Sequence, residues 1–234
     1  MLVSIIIPAY NEEKTVGKLL EKVKKVEFGN GISKEIILVD DASIDKTLDI
    51  VKKFEGIKVI NHKKNLGKGA AIRSGIKVSN GDIIAIQDAD LEYNPSDLVR
   101  LVELVYQNIA EVAYGTRLQN YPLKIIGAKK TPLVTHYLGN KFLTFCTNLL
   151  YGSRITDMET CYKVFKRSVL SGIKIKSNRF DFEPEITAKI LKKGIKIHEI
   201  PISVKPRGYE EGKKISWKDG LIALWTLIKF RFSD

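Results

Sequence analysis

Short, almost wholly apolar runs alternate with helix-period segments through the first half of the chain, and this alternation constrains the fold more than any other feature. LVSIIIP precedes a helical pattern after Asn11, EIILVDD precedes DKTLDIVKKF, KVINH precedes GKGAAIRSGIKV, and DIIAIQDAD precedes PSDLVRLVELVYQ. Runs this uniformly apolar read as strands covered on both faces. Covered strands alternating with helices predict an α/β fold, with a mostly parallel sheet flanked by helices and right-handed crossovers. In such sheets ligands bind beyond the carboxyl ends of the strands. Pro8 to Glu12 follow the first run, Asp40 and Asp41 the second, Asn61 the third, and Asp88 and Asp90 the fourth. Four strand ends thus deliver polar residues to one rim.

After EVAYGTR the period changes. Thr131 to Leu150 reads as a helix with apolar Leu133, Val134, Tyr137, Leu138, Phe142, Phe145 and Leu149, interrupted by His136, Asn140 and Lys141. A second helix is expected from Trp217 to Phe232, where Trp217, Leu221, Leu224, Trp225, Ile228 and Phe232 share one face beside Lys218, Lys229 and Arg231. Two readings stand for each stripe: packing on the core, or an amphipathic helix lying in a membrane interface. No linker or repeat divides the sequence, so residues 1–234 are expected to form one domain with a C-terminal elaboration.

Composition limits the classes further. At 234 residues, 44% apolar and 28% charged, the chain can bury a sizeable core. Its longest late apolar stretch, Gly220 to Ile228, falls short of the roughly 18 residues a spanning helix needs. MLVSIIIPAYNEE is unlike a secretory signal, so a cytoplasmic location is expected. Cys146 and Cys161 have neither metal-ligand nor disulfide spacing and read as small buried apolar groups. The net charge is +12, with 17 basic and 17 acidic residues up to Arg117 and 22 and 10 beyond it. A basic half on a neutral half fits a polyanionic partner, whether nucleic acid, an anionic membrane surface or a phosphorylated substrate; it also fits a Lys-rich solvated face.

The motifs separate these. DADLE places Asp88, Asp90 and Glu92 at a strand end, where they can share a hard divalent cation that also takes phosphate oxygens. Asp40 and Asp41 add a second acidic pair to the rim. NLGKGAAIRSG is not a Walker loop, since position 62 is His; Lys68 and Gly69 either approach an anion at a helix start or simply begin a helix. PAYNEEKT stands where a dinucleotide fold has GxGxxG, which counts against a dehydrogenase. An acidic rim would repel phosphodiester, and RNP, KH and helix-turn-helix patterns are absent, so nucleic acid is not expected as a partner.

SIIIPAYNEE, EIILVDDASIDKT, NLGKGAAIRSG, DADLEYNP, GTR, TDMETCYKVFKR and RGYEEGKKISWKDG resemble, in order, the family 2 glycosyltransferases of GT-A fold. The likeness is greatest to the polyprenyl-phosphate sugar synthases, dolichol-phosphate mannose synthase among them. The resemblance implies that Pro8, Tyr10 and Glu12 surround the nucleotide, with Val39 and Asp41 alongside. It implies that Asp88, Ala89 and Asp90 hold the diphosphate and Mg²⁺ or Mn²⁺, with Glu92 as a further metal or metal-shell ligand. Arg117, Arg207 and Lys213 would contact donor or acceptor phosphates. Residues 1–117 would bind the nucleotide-sugar, and residues 118–234 would face the acceptor and the membrane. Ala42 departs from the family's usual Gly or Asn after the acidic pair, and the C-terminal membrane helices of some relatives are missing from this sequence. A peripheral enzyme on the cytoplasmic face of the membrane is therefore expected.

The expected reaction moves a hexose with inversion from GDP-mannose, UDP-glucose or UDP-N-acetylglucosamine to a polyprenyl phosphate. The departing diphosphate needs a cation and Arg117, while an ionised phosphate acceptor needs positioning more than a strong base. Asp157 reads either as an acidic group beside the acceptor or as a helix cap. Arg207, Lys213 and Lys214 would hold the acceptor phosphate. The alternative is a relative that extends a glycan at a hydroxyl, which requires a general base.

Overall fold

The computed structural model describes residues 1–29, 31–118, 134–205 and 217–233. The elements are β1 (Leu2–Ala9), α1 (Val16–Lys25), β2 (Ser33–Asp40), α2 (Thr47–Val51), β3 (Ile57–Asn61), α3 (Lys68–Val78), β4 (Ile83–Ile86) and α4 (Asp97–Tyr106). After these come β5 (Val112–Thr116), α5 (Val134–Tyr151), β6 (Lys163–Lys166), α6 (Arg167–Leu170), α7 (Phe182–Lys192), β7 (Ile197–Pro201) and α8 (Trp217–Phe232). Among the described residues the strands form one sheet in the order β3-β2-β1-β4-β6-β5-β7.

The sheet is parallel at β1–β2, β1–β4, β2–β3 and β5–β7. β6 runs antiparallel to both β4 and β5, a reversal absent from the expected strand list. Its four residues, KVFK, are too few to show a period. Val164 and Phe165 point to opposite faces of the sheet, each fully buried. The same alternation divides β1: Val3, Ile5 and Ile7 pack with Leu19, Leu20, Leu98 and Leu101, whereas Ile6 packs with Ile72, Phe182 and Ile186 on the other side. Gly75 lets α3 lie against that second face, since a Cβ there would come within 2.5 Å of Ile6 Cγ2.

The C-terminal helix departs from the core reading. α8 packs on α7 and α5 through Ala223, Thr226, Leu227 and Phe230, and Tyr151 donates its hydroxyl to the Leu227 carbonyl at 2.7 Å. The stripe read from sequence faces away: Trp217, Leu221, Trp225 and Phe232 are 71%, 59%, 65% and 81% exposed. α5 likewise leaves Leu138, Phe142, Phe145 and Leu149 exposed. Burying such a side chain contributes about 1.5–3 kcal/mol, and among the described residues none covers the apolar face that the two helices present. Among the described residues no helix is long and apolar enough to cross a membrane.

Candidate active site

A cleft of about 460 Å³ opens at the carboxyl ends of β1, β2 and β4. Pro8, Tyr10 and Glu12 line it from the end of β1, Asp41 from β2, and Asp88, Ala89, Asp90 and Glu92 from β4. Arg117 lines it from the end of β5, and His136 and Asn140 from α5. Three of these strand ends turn through the left-handed region at a residue other than glycine: Asn11 (φ 53°), Ala42 (φ 61°) and Leu91 (φ 61°). Two further expected residues, Val39 and Asp157, are wholly buried and do not line the cleft. Arg207, Lys213 and Lys214 lie outside the described residues.

Asp88 meets a buried cation. The Lys68 ammonium lies 2.9 Å from Asp88 Oδ1 and 2.8 Å from Glu183 Oε1, and 3.2 Å from Cys161 Sγ. Burial alone would lower the Lys68 pKa, but Asp88, Cys161 and Glu183 outweigh it and hold the pKa well above the usual lysine value. The side chain of Lys68, not only its backbone, therefore belongs to the site. Asp90 Oδ1 accepts the Glu92 amide at 3.0 Å, tightening the turn that carries both carboxylates. Among the described residues no three His, Cys, Asp or Glu side chains converge as a complete metal cage. Two cleft carboxylates nonetheless fit a hard divalent ion that draws its other ligands from water and substrate phosphate, and the ammonium against Asp88 shows that the spot accepts positive charge.

Arg117 is held from behind. Its Nε and Nη2 donate to Asp157 Oδ2 and Oδ1, both at 2.7 Å, and its backbone N–H donates to Oδ2 at 2.9 Å. Burial opposes the guanidinium charge, and Asp157 more than offsets this. Asp157 is fixed in turn by Glu199, whose carboxylate accepts the amides of Thr156 and Asp157 at 2.7 and 3.0 Å. Asp157 thus reaches the cleft through Arg117 rather than with its own carboxylate, and it is not a helix cap.

Asp41 is similarly occupied. Its oxygens accept the Leu66 and Gly67 amides at 2.9 and 2.7 Å and face His62 Nδ1 at 2.7 Å. The carboxylate therefore shapes the loop leading into α3. Gly67, at φ 98°, sits where a Cβ would lie 2.3 Å from the Asn178 carbonyl oxygen, so the loop is pressed against the segment that precedes α7.

Sequence reading missed the residues at the back of the cleft. Glu159 lines it and has a buried oxygen, Oε1, without a hydrogen-bond partner among the described residues. Burial and the neighbouring Glu183 raise its pKa to about 8. Lys163 is lowered to about 8 by burial; it donates to the Met158 carbonyl at 2.9 Å and lies 3.8 Å from the Tyr114 ring centroid. Both lie in TDMETCYKVFKR, which carries the resemblance, but nothing in that segment shows that Glu183 of α7 acts on each of them.

An open, mostly parallel sheet with carboxylates at its strand ends and Lys68 and Arg117 in the same cleft is an α/β fold of the class that binds ligands beyond its strand ends. The described chain aligns over its whole length with 81% of glucosyl-3-phosphoglycerate synthase from Mycobacterium tuberculosis, solved with Mn²⁺, UDP and glucosyl-3-phosphoglycerate, at a TM-score of 0.72 and 16% identity. That likeness establishes the GT-A fold. The family model for glycosyl transferase family 2 matches residues 4–173, and the chain belongs to that family. It is 33% identical over 96% of its length to 90% of an uncharacterised protein, MJ1222, of Methanocaldococcus jannaschii. It is also 30% identical over 86% of its length to 84% of the UDP-N-acetylglucosamine–dolichyl-phosphate N-acetylglucosaminyltransferase of Methanococcus voltae. Within the family the chain is thus similar to the polyprenyl-phosphate sugar transferases.

Proposed function

We propose that this glycosyltransferase moves a hexose, with inversion, from GDP-mannose, UDP-glucose or UDP-N-acetylglucosamine to a polyprenyl phosphate at the cytoplasmic face of a membrane. The observation that carries this reading is the continuity of α5: its His136 and Asn140 line the cleft, while its Leu138, Phe142, Phe145 and Leu149 are exposed beside α8. A lipid lying along that face can bring its phosphate to the cleft. The relative from Methanococcus voltae, named for a dolichyl-phosphate acceptor, supports the same class.

Pro8, Tyr10 and Glu12 receive the nucleotide beside the loop that Asp41 shapes, with Val39 packed beneath. Asp88 and Asp90 would hold Mg²⁺ or Mn²⁺, with Ala89 beside them and Glu92 as a further metal or metal-shell ligand, and the ion would supply positive charge for the diphosphate. The Mycobacterium tuberculosis synthase, solved with Mn²⁺ and UDP, supports a divalent ion in this fold. Arg117, oriented by Asp157, turns its remaining N–H groups to the oxygen that gains charge as the glycosidic C–O bond breaks. The acceptor oxygen, already ionised, attacks the anomeric carbon from the opposite side. Arg207, Lys213 and Lys214, in the basic half, neutralise the acceptor phosphate. Residues 1–117 thereby serve the donor, and residues 118–234 the acceptor and membrane.

The experiment compares radiolabelled sugar transfer to a polyprenyl phosphate and to the polyprenol of the same chain. Transfer to the phosphate with an almost inert alcohol is expected, and Arg207→Ala should cost roughly tenfold to a hundredfold in efficiency, since charge-assisted bonds contribute about 1.5–3 kcal/mol each. Equal transfer to both compounds would promote the hydroxyl-acceptor reading.

A further inference from the structure

The sugar of a nucleotide-sugar is one bond from its β-phosphate, so a diphosphate held at Asp88 and Asp90 brings the sugar among the residues that flank those carboxylates. One of these residues is Glu159. It lines the cleft with Asp88 and Asp90, yet its Oε1 is buried and has no hydrogen-bond partner among the described residues. A polar atom in that state destabilises the empty protein unless a ligand satisfies it.

Its placement is fixed by the two residues before it. The Met158 amide donates to Thr144 Oγ1 at 3.1 Å, and the Asp157 amide to Glu199 Oε1 at 3.0 Å. The nearby cations are committed elsewhere. Lys163 donates to the Met158 carbonyl and stands over the Tyr114 ring, Lys68 joins Asp88 to Glu183, and Arg117 is bonded to Asp157. Behind Glu159 is Glu183, nearly wholly buried, whose Oε2 likewise has no partner among the described residues.

We infer that Glu159 reads a hydroxyl group of the donor sugar and, backed by Glu183, selects a neutral sugar against a uronic acid. The inference rests on the nucleotide-sugar reading above. A hydroxyl can donate to the unpartnered oxygen, which satisfies a buried acceptor at no cost in charge. A uronate carboxylate has no proton to donate to Glu159 Oε1 and would bring a second negative charge beside Glu183, which already acts on Glu159. Arg179 also lines the cleft, but its side chain is solvent-exposed, which weakens any compensation it could offer. The pKa of Glu159, raised by burial and by Glu183, agrees with this: the pocket resists negative charge at this position, and a uronate would bring one.

Titration calorimetry on the full chain with Mn²⁺ tests this without relying on turnover. The probes are UDP, UDP-glucose, UDP-N-acetylglucosamine and UDP-glucuronate, with GDP and GDP-mannose as the second series. Neutral sugar nucleotides are expected to bind roughly tenfold or more tighter than their parent diphosphate and than UDP-glucuronate. Glu159→Met, of similar volume, should erase that increment while leaving the diphosphate affinity within about twofold. Glu159→Gln retains an accepting oxygen, so it should keep most of the increment while narrowing the discrimination against UDP-glucuronate. An unchanged sugar increment in a folded Glu159→Met protein, or UDP-glucuronate binding as tightly as UDP-glucose to the native protein, would overturn the inference and leave the donor reading intact. Failure of every nucleotide to bind the native protein would overturn both.

Discussion

Arg117 and Asp157 form a two-pronged ion pair, Nε to Oδ2 and Nη2 to Oδ1 at 2.7 Å each, closed by the Arg117 backbone amide on the same carboxylate at 2.9 Å. Asp157 is 0% exposed in its side chain and Arg117 17%, so removing one partner leaves a charge with little water to receive it. Asp157→Asn is expected to destabilise the protein by about 3–5 kcal/mol, measured by denaturant unfolding. Turnover should fall with it because the guanidinium loses its fixed direction. Arg117→Lys keeps the charge but not the fork, and should fold while losing on the order of tenfold or more in efficiency. Native-like activity in both variants would remove the positioning role.

The acidic turn makes a different prediction. Asp90 is half-buried and accepts the Glu92 amide, so Asp90→Ala should shift stability by about 1 kcal/mol or less while abolishing turnover. Nucleoside diphosphate binding, followed by calorimetry with and without EDTA, should weaken strongly when the divalent ion is withdrawn, because Asp88 and Asp90 otherwise face a like-charged ligand. Equal affinity in both conditions would remove the metal from donor binding.

These contrasts show what a sequence can carry. Pro8 and Glu12 at the end of β1 and Asp88 and Asp90 beyond β4 were legible because both strands are apolar runs, and the crossover rule puts such ends on one rim. Glu159, Glu183 and the side chain of Lys68 were not, because they meet only through the β4–β6–β5 arrangement, and β6 is too short to announce itself. The stripe on α8 was legible as a face, since a period of 3.6 fixes which residues share one. Its direction was not: Ala223, Thr226, Leu227 and Phe230 fill the inner face without forming the more apolar stripe. Asp157 was legible only as an acidic residue within its motif, and the geometry shows its carboxylate spent on Arg117.

Ala42 offers a test of local strain. It adopts φ 61°, a conformation that costs an L-residue roughly 1–2 kcal/mol and glycine nothing, while glycine's greater unfolded freedom takes back about 0.5–1 kcal/mol. Ala42→Gly should therefore stabilise the protein by about 0.5–1 kcal/mol, raising Tm by about 1–3 °C. Leu91, at the same φ, packs against the buried cluster, so glycine there should destabilise instead. A lower Tm for Ala42→Gly would show that the methyl group packs better than its backbone suffers.

The outward face of α5 and α8 bears on where the enzyme works. Trp225 and Phe232 are 65% and 81% exposed, and Lys218, Lys229 and Arg231 on the same helix are exposed as well. Aromatic groups beside cations match the boundary of an anionic bilayer, where each basic residue contributes about 1 kcal/mol and each inserted side chain adds to it. The protein should therefore float with phosphatidylserine-containing vesicles at low salt, less at high salt, and less again with phosphatidylcholine alone. Trp225→Ser and Phe232→Ser should each reduce partitioning on the order of tenfold and leave unfolding unchanged within about 0.5 kcal/mol, since neither side chain is part of the core. Flotation that survives both substitutions would place the membrane contact elsewhere. A protein that never floats but sediments as a dimer, and becomes monomeric in the same two variants, would give this face to a second copy of the chain.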